Sequence, residues 1–324
     1  MTLILARSDV VRLLSLGECI QAVEEVFRAQ AEGKVPPPEI LGFHVPEGGF
    51  HIKAAAYGSY FAAKVNANFP GNPARHGLST IQGIIALYDS ERGTPLALMD
   101  SIEITAQRTA AATAVATKYL AREDADTVTI VGCGVQGRFQ LEAVSLVRSV
   151  KRAYAIDRDR ERRELFARDL TSHLGLEIVP ADDLASALGE SGIVVTCTSS
   201  KSAFLSRSQI RPGSFIAAVG ADNPEKQELD PVLMAASTVV VDHLEQCLTI
   251  GDLHHAVQAG VMQAGDVHAA LGEVVAGLKP GRRSSDEIIV FDSTGTALQD
   301  VAAAVLVYER ALAAGAGISL VLGR

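Results

Sequence analysis

Three glycines in the segment Gly132-Cys-Gly-Val-Gln-Gly137 have the spacing of a phosphate-binding turn. Gly132 permits a tight turn, Gly134 lets the backbone come close to a pyrophosphate, and Gly137 allows a helix to pack closely on a strand. The segment follows a β-branched apolar run at residues 127–131 and precedes a predicted helix at residues 136–150. The free N–H groups at the start of that helix would point at the phosphates, so this order of elements predicts a dinucleotide-binding site.

An acidic residue, Asp157, ends the next predicted strand about 25 positions after Gly132, which is near the spacing of a carboxylate that binds a ribose 2′-hydroxyl. Asp157 therefore favours NAD(H) as the cofactor. NADP(H) stays open, because a guanidinium after Asp157 could pair with a 2′-phosphate. The candidate arginines are Arg158, Arg160, Arg162 and Arg163, although such a dense run of charges is more typical of a solvated helix face.

Four other segments bring rare polar residues together with turn-forming residues, at positions 64–73, 105–110, 218–231 and 291–300. In this combination and order the chain resembles the ornithine cyclodeaminase and μ-crystallin family. The resemblance covers nearly the whole chain, from a proline-rich turn at residues 36–38 to the final helix. The motifs are specific as a set, although none of them would suffice alone.

The resemblance implies a substrate site with three side chains. Lys64 matches a lysine that reaches the substrate, Arg108 an arginine that pairs with the substrate carboxylate, and Asp222 an acid/base beside the substrate nitrogen. The side chains suit these roles, because a guanidinium grips a carboxylate with two hydrogen bonds, a lysine adds a second cation, and a carboxylate exchanges protons with an amine. Simpler roles stay open: an interdomain salt bridge for Arg108, a solvated side chain for Lys64 and a turn cap for Asp222.

The resemblance also implies contacts to the cofactor. Thr80 matches a threonine at the cofactor or substrate, Gln136 matches the glutamine of the glycine turn, and Ser293 begins a loop near the nicotinamide. The other predicted cofactor contacts are Val135, Thr109, Thr196, Ser199 and Val219. No metal site is predicted, because the spacing of the histidines fits no ligand set.

One position departs from the family pattern. Many relatives have a basic residue just after the proline turn, where it helps to hold the substrate carboxylate, but this chain has Glu39 there. Lys53, on the next predicted strand, could supply the missing charge or could pair with Glu39. The pocket therefore need not be that of the ornithine enzyme.

These assignments leave three functions open. The first is an NAD(P)-dependent reductase of α-imino acids, either cyclic ketimines such as pyrroline- or piperideine-2-carboxylate or open-chain imino acids, which in reverse is an amino-acid dehydrogenase. The second is a redox-neutral cyclodeaminase that releases ammonia from a diamino acid such as ornithine with tightly bound NAD. The third is a μ-crystallin-like protein that binds a dinucleotide and a ligand, although the intact set of Lys64, Arg108 and Asp222 argues against a purely non-catalytic role.

The composition of this 324-residue chain, with 48% hydrophobic and 21% charged residues, is that of an ordinary globular protein. A formal charge of −9 without a basic stripe argues against nucleic acid as a partner, and no apolar run is long enough for a membrane span. The N-terminus lacks a signal-peptide pattern, and the four cysteines have no paired spacing. We therefore expect a cytoplasmic protein with reduced thiols that acts on a small amino or imino acid.

The elements that must position these residues begin with a helix, which the apolar spacing predicts between Ser15 and Gly33. Short β-like runs at residues 50–56, 60–68, 81–88 and 95–99 then predict a mostly antiparallel sheet. An alanine-rich helix at residues 102–121 follows. Beyond it, strands alternate with helices at residues 127–131, 152–156, 192–196, 214–220, 237–241 and 288–291, and a last helix is predicted at residues 296–313.

This pattern predicts an α/β protein in two domains. Residues 125–296 form a Rossmann-type doubly wound parallel sheet that binds the dinucleotide. Residues 1–124, completed by residues 297–324, form a sheet-rich α+β domain for substrate binding and dimerisation. We expect a homodimer, because such a sheet leaves edges that a partner subunit covers and because the resemblance implies dimerisation through this domain.

Overall fold

The computed structural model describes residues 1–322, which fold as two compact units. The first unit comprises residues 1–108 together with the C-terminal residues from Thr296 on, and the second comprises residues 109–295. The boundary between residues 108 and 109 falls inside the alanine-rich helix. The sequence instead predicts this boundary at residue 124, in the polar segment after that helix.

The helices and strands follow one another along both units. The first unit begins with β1 (Thr2–Leu5), α1 (Arg7–Leu13), α2 (Leu16–Ala31), β2 (Glu39–Val45), β3 (Gly48–Tyr57), β4 (Tyr60–Asn68), α3 (Asn72–His76), β5 (Ile81–Asp89), β6 (Pro95–Asp100) and the start of α4 (Ile102–Leu120). The second unit contains the rest of α4, then β7 (Thr127–Val131), α5 (Val135–Val147), β8 (Arg152–Ile156), α6 (Arg160–Leu174), β9 (Glu177–Pro180), α7 (Leu184–Glu190), β10 (Ile193–Thr196), β11 (Lys201–Leu205), β12 (Phe215–Ala218), β13 (Gln227–Leu229), α8 (Pro231–Ala235), β14 (Thr238–Val241), α9 (Leu244–Cys247), α10 (Asp252–Gln258), β15 (Ala269–Ala270), α11 (Leu271–Val275) and β16 (Ile289–Asp292). Two single-turn 3-10 helices lie at Arg207–Gln209 and Ala264–Asp266, and α12 (Ala297–Ala314) and β17 (Ile318–Leu320) return to the first unit.

The sheet of the first unit has seven strands in the order β17-β1-β6-β5-β4-β3-β2. All neighbours are antiparallel except β1 and β6, so the predicted antiparallel character is confirmed. One face of this sheet packs on α12, which also packs on α2. Because side chains alternate between the two faces of a strand, this buried face carries Lys53, Ala55, Ala62, Lys64, Asn66, Ile85 and Leu87.

The main sheet of the second unit has eight parallel strands in the order β15-β14-β16-β12-β10-β7-β8-β9. Its central strands β10, β12 and β16 are buried along their whole length, as expected for a sheet with helices on both faces. The chain leaves β7 toward β8 on one side and resumes at β10 on the other. Doubly wound sheets bind their ligands in the crevice at such a switch point. The strand order also confirms the predicted fold class, an α/β protein with a Rossmann-type parallel sheet.

Sequence patterns missed three elements at the start of the chain: β1, α1 and β2. β2 had no detectable alternation because it is an edge strand whose side chains are nearly all exposed, apolar ones included. The first predicted helix corresponds to α2, which begins after Ser15 and ends at Ala31, two residues before the positive-φ residue Gly33. The strands predicted at residues 60–68, 127–131 and 152–156 have the bounds of β4, β7 and β8.

Candidate functional site

Lys64 and Arg108 lie together in the first unit, where both contact one carboxylate, that of Asp300. Lys64 Nζ donates a hydrogen bond to Asp300 Oδ1 at 2.7 Å and lies 2.7 Å from Oδ2. Arg108 Nε lies 2.9 Å from Asp300 Oδ1, and Arg108 Nη1 donates to Gln299 Oε1 at 2.9 Å. The three charged side chains are 2–6% exposed. When all three are ionised, two buried cations share one anion and the cluster carries a net positive charge.

Three elements bring this cluster together. Lys64 is on the buried face of β4, Arg108 is on the second turn of α4, and Asp300 is in the first turn of α12. The N-terminal end of a helix favours a negative charge, so α12 itself stabilises the Asp300 carboxylate. A solvated side chain is therefore excluded for Lys64. Arg108 does form a salt bridge, but with a residue of its own unit.

The buried charges change one another's protonation. Burial lowers the pKa of Lys64 to about 7, against the opposing attraction of Asp300, and the nearby cations Arg108 and Lys53 lower it further. For Asp300, burial would raise the pKa, but the attraction of Lys64, Arg108 and Lys53 outweighs burial and leaves it below its ordinary value. Asp300 is thus held as a carboxylate, whereas Lys64 can gain or lose its proton near neutral pH.

Lys53 and Glu39 lie on opposite faces of the sheet. The register of β2 with β3 places Lys53 opposite Ile40 and Glu39 opposite Ala54, and neighbouring residues of a strand point to opposite faces. Lys53 is buried on the face that carries Lys64, and its charge acts on both Lys64 and Asp300. Of the two expectations for Lys53, the structure favours a supply of positive charge to the cluster, and the proposed pairing with Glu39 is wrong.

Sequence reasoning assigned no role to Asp300 or Gln299, although both lie in the polar segment 291–300 that it singled out. Their signal was present: an acid and an amide begin a helix whose next seven residues are all apolar, at positions that are almost fully buried. Thr105 was also missed, and its hydroxyl lies 3.4 Å from both Lys64 Nζ and Asn66 Nδ2. The pattern at residues 291–300 predicts a functional loop, whereas the structure shows that the first turn of α12 also contributes site residues.

In the second unit, the glycine turn joins β7 to α5 with the geometry that its sequence predicts. Gly132 has φ +108°, a backbone conformation that residues with side chains rarely adopt. A Cβ on Gly137 would lie 2.1 Å from the carbonyl oxygen of Gly132, so the helix can approach the strand only without a side chain there. A Cβ on Gly134 would meet nothing within 4 Å, so space is open beside the N-terminus of α5, where no side chain caps the helix. This open cradle, with Val135 and Gln136 in the first turn of the helix, fits a pyrophosphate.

Asp157 stands at the carboxyl end of β8 and braces the glycine turn. Its Oδ2 accepts a hydrogen bond from the N–H of Cys133 at 2.8 Å, and its Oδ1 accepts one from the N–H of Asp159 at 3.0 Å. The carboxylate is therefore fixed beside the cradle, at the place where a ribose would lie.

The arginines after Asp157 do not form one exposed row. Arg158 is exposed and Arg160 pairs with Glu164, but Arg163 is buried and pairs with Asp182. Arg162 Nη1 lies 4.0 Å from Asp157 Oδ2. A purely solvated face is therefore wrong for Arg163, whose Nη1 also donates a hydrogen bond to the carbonyl oxygen of Asp157 at 3.4 Å. Arg158 follows Asp157 directly in the sequence, and Arg162 lies beside the Asp157 carboxylate.

Four other predicted cofactor residues lie at the carboxyl edge of the same sheet. Thr196 ends β10, and its carbonyl oxygen accepts a hydrogen bond from the N–H of Val219 at 2.9 Å, while Ser199 is exposed in the loop after β10. Ser293 follows β16, is 3% exposed, and its Oγ has no hydrogen-bond partner among residues 1–322. A buried hydroxyl without a protein partner can hydrogen-bond a polar group of a bound molecule, which is compatible with a cofactor at this edge.

Asp222 lies in the turn after β12, and it is half exposed. Its Oδ1 is 2.7 Å from Lys226 Nζ, and the carbonyl oxygen of Lys226 is in turn 2.9 Å from His255 Nε2. The main contact of the Asp222 carboxylate is thus this ion pair with Lys226, and not a turn cap. The carboxylate already holds an ammonium group, the same type of group as a substrate amine.

Thr80 and Thr109 are each half-buried. Thr80 precedes β5 in the first unit, where its carbonyl oxygen accepts the N–H of Phe69 at 2.8 Å. Thr109 follows Arg108 directly on α4 and belongs to the second unit. Their predicted contacts to the cofactor or substrate remain predictions.

Two other kinds of site are absent from residues 1–322. No helix in this range is long and apolar enough to cross a membrane. In the same range, no group of three or more His, Cys, Asp or Glu side chains is placed to hold a metal ion.

Known proteins similar to this chain belong to one family. A sequence model of the ornithine cyclodeaminase/mu-crystallin family matches residues 1–315. The chain is 39% identical over 317 residues to alanine dehydrogenase of Archaeoglobus fulgidus, covering 98% of this chain and 97% of that protein.

Two solved structures resemble this one over nearly their whole length. One is an archaeal alanine dehydrogenase dimer with bound NAD, with a TM-score of 0.96, 38% identity and 99% of both chains covered. The other is Thermococcus litoralis Δ1-pyrroline-2-carboxylate reductase in complex with NADH and L-proline, with a TM-score of 0.93, 36% identity, and 98% of this chain and 100% of that chain covered.

Proposed function

The chain belongs to the ornithine cyclodeaminase/mu-crystallin family, and from this premise we propose that it is an NAD(H)-dependent oxidoreductase acting on C–N bonds. Its reaction is the reduction of an α-imino acid, cyclic or open-chain, to the L-amino acid, with amino-acid dehydrogenation as the reverse. The observation that carries this proposal is the buried cluster in which Lys64 and Arg108 share Asp300. Relatives that are named as an alanine dehydrogenase and a Δ1-pyrroline-2-carboxylate reductase support it.

The cluster suits an α-carboxylate because its charges are unequal. Asp300 balances only one of the two cations that contact it, and an incoming carboxylate would balance the second. Burying a charge without a counter-charge is costly, so an anionic ligand gains much of its affinity from relieving that cost. Arg108 holds the carboxylate, Lys64 adds the second cation beside the reacting C=N group, and Lys53 strengthens the positive potential.

The second unit suits a dinucleotide. The N-terminus of α5 and the open space at Gly134 hold the pyrophosphate, and Asp157 accepts the ribose hydroxyls, which favours NAD(H) over NADP(H). Ser293 offers its buried hydroxyl to the nicotinamide half. When bound, the reduced dinucleotide supplies the hydride that the imine carbon receives.

Asp222 carries the proton of the reaction. Reduction of C=N consumes one hydride at carbon and one proton at nitrogen, and a carboxylic acid beside the nitrogen can deliver that proton. In the structure this carboxylate holds the ammonium group of Lys226 at 2.7 Å. A substrate nitrogen takes the place of that ammonium group when it binds.

The test is an assay of purified protein with NADH and Δ1-pyrroline-2-carboxylate, and in parallel with pyruvate and ammonia. Oxidation of NADH in step with formation of proline or alanine supports the proposal. Ammonia released from ornithine without net change of the cofactor would instead establish a cyclodeaminase. Tight NADH binding with no turnover of any of these substrates would indicate a binding protein.

We further propose that the protein is a homodimer through the sheet of its first unit. The face of this sheet opposite α12 exposes large apolar side chains on β2, β4 and β5, namely Leu41, Phe43, Phe61 and Ile84. Apolar side chains grouped on one face beside a free edge strand are typical of a protein interface. The solved alanine dehydrogenase that resembles this chain is a dimer, which supports the proposal.

We also propose that the protein acts in the cytoplasm, where amino acids and dinucleotides are available.

A further inference from the structure

Glu228 is a fully buried carboxylate that joins two loops of the second unit. Its Oε1 accepts a hydrogen bond from the N–H of Thr198 at 2.6 Å, and its Oε2 accepts one from the N–H of Gly220 at 2.9 Å. Thr198 lies in the loop after β10, and Gly220 lies in the loop after β12, two residues before Asp222. One side chain from β13 thus connects the backbones of two neighbouring loops.

The absence of a side chain at Gly220 makes this connection possible. A Cβ on Gly220 would lie 2.4 Å from the carboxyl carbon and from Oε1 of Glu228. Since real Cβ atoms do not approach other atoms so closely, any other residue would push the carboxylate away from the loop. Glu228 and Gly220 therefore form a matched pair.

The backbone of β13 at Glu228 is held in place by a second buried carboxylate, that of Asp252. Asp252 Oδ1 accepts the N–H groups of Glu228 and Leu229, each at 2.8 Å, and Asp292 Oδ2 accepts the N–H of Leu253 at 2.9 Å. Burial raises the pKa of Glu228, so a buried acid at this position costs stability that a well-packed apolar side chain would not. Such a cost is expected where a carboxylate must hold loops in place for a ligand.

The two joined loops lie where the second half of a dinucleotide would be. The glycine turn follows β7 and Asp157 follows β8, so the pyrophosphate and the adenosine ribose occupy that side of the switch point. β10 is the neighbour of β7 on the other side, and β12 lies next to β10. The crevice over β10 and β12 is consequently left for the nicotinamide half.

We propose that Glu228 is a positioning residue for the nicotinamide half of the dinucleotide. By holding the loop at residues 197–200 against the loop at residues 219–223, it fixes the width of the crevice over β10 and β12 and the place of the turn that carries Asp222. This role rests on the dinucleotide site proposed above, but it does not depend on which imino acid is reduced.

The test compares NADH with ADP-ribose, which lacks the nicotinamide, in calorimetric titrations of wild-type protein and Glu228→Gln. The amide keeps the size of the side chain but turns an N–H2 group toward one of the two N–H donors, so one of the two hydrogen bonds is lost. We expect NADH to bind about tenfold or more weakly, as for a lost hydrogen bond to a charged group, while the affinity for ADP-ribose stays unchanged.

The matched control is Glu287→Gln. Glu287 is a largely buried carboxylate at the opposite, amino edge of the same sheet, where it accepts the N–H of Arg283 at 2.8 Å and the hydroxyl of Thr238 at 2.6 Å. This variant should lose stability but bind both ligands like the wild type. A second test variant, Gly220→Ala, should reproduce the selective loss of NADH affinity because its methyl group meets the carboxylate.

Equal weakening of NADH and ADP-ribose by Glu228→Gln and Gly220→Ala would show that Glu228 only stabilises the unit, and an unchanged NADH affinity would also overturn the proposal. If wild-type protein binds neither ligand, the dinucleotide site itself is wrong. If it binds both but reduces no imino acid, only the proposed reaction falls.

Discussion

Lys64 Nζ lies 2.7 Å from each carboxylate oxygen of Asp300, and both side chains are almost completely buried. The pair joins β4 to α12, two elements that are far apart in the sequence but packed together in the first unit. Arg108 contacts the same carboxylate. Asp300 is therefore the anion on which the arrangement of both cations depends.

Replacement of Asp300 by Asn should destabilise the protein strongly. The amide leaves the Arg108 cation buried without its anion, and removal of one partner from a buried ion pair costs about 3–5 kcal/mol. Unfolding by urea, followed by circular dichroism, measures this loss. Glu309→Gln, an exposed acid on the same helix, should change the free energy of unfolding by less than about 0.5 kcal/mol, and an equal loss in both variants would contradict the role of Asp300.

Lys64 should give the reaction a pH dependence near neutrality. Its pKa is lowered to about 7, and only the protonated amine attracts the substrate carboxylate, so kcat/KM should fall as the pH rises through about 7. In Lys64→Arg the guanidinium stays charged throughout this range, and the fall should disappear. A fall that persists at the same pH in this variant would assign the titration to another group.

The parts of the site that sequence predicts best are those with a local geometric cause. The glycine turn needs particular residues at Gly132 and Gly137, and Asp157 ends a strand whose pattern is clear, so each of them lies where it was predicted. Lys64 and Arg108 were found through motif resemblance, since nothing local marks a strand lysine as buried.

The parts that sequence could not predict depend on contacts between distant segments. Asp300 meets Lys64 only because α12 packs on the sheet of the first unit, and Glu228 meets Gly220 only because β13 lies beneath the loop after β12. A pattern of residue types along the chain contains no signal for which acid will face which donor. Glu39 shows the same limit, because only the register of β2 and β3 places it on the face opposite Lys53.

Asp222→Asn should abolish most of the turnover without loss of cofactor binding. The amide cannot deliver a proton to the substrate nitrogen, and general acid catalysis contributes about 10²–10⁴ in rate. Steady-state kcat and the Kd of NADH, measured on the same preparation, test this expectation. Glu225→Gln provides the control, since Glu225 is an exposed acid in the same turn that pairs with Lys201, and its variant should keep wild-type kcat. A normal kcat in Asp222→Asn would show that Asp222 does not supply the proton of the reaction.

Asp157→Ser should move the cofactor preference toward NADPH. In the wild type the Asp157 carboxylate would repel a 2′-phosphate, and Arg162 lies 4.0 Å from its Oδ2. Without that carboxylate, Arg158 and Arg162 can attract the phosphate. We expect the ratio of kcat/KM for NADH to that for NADPH to fall by about tenfold or more, as expected for a lost ribose contact and a removed repulsion.

The control for this variant is Asp159→Ser, which removes the same charge two residues away. Asp159 accepts the N–H of Arg162 at the start of α6, and serine is an equally good N-cap, so the helix should be preserved. Because only the backbone N–H of Asp159, and not its side chain, contacts the carboxylate that braces the glycine turn, its variant should keep the wild-type ratio between the two cofactors. An equal shift in both variants would mean that the overall charge of this loop, and not the contact of Asp157 with the ribose, sets the preference for NADH.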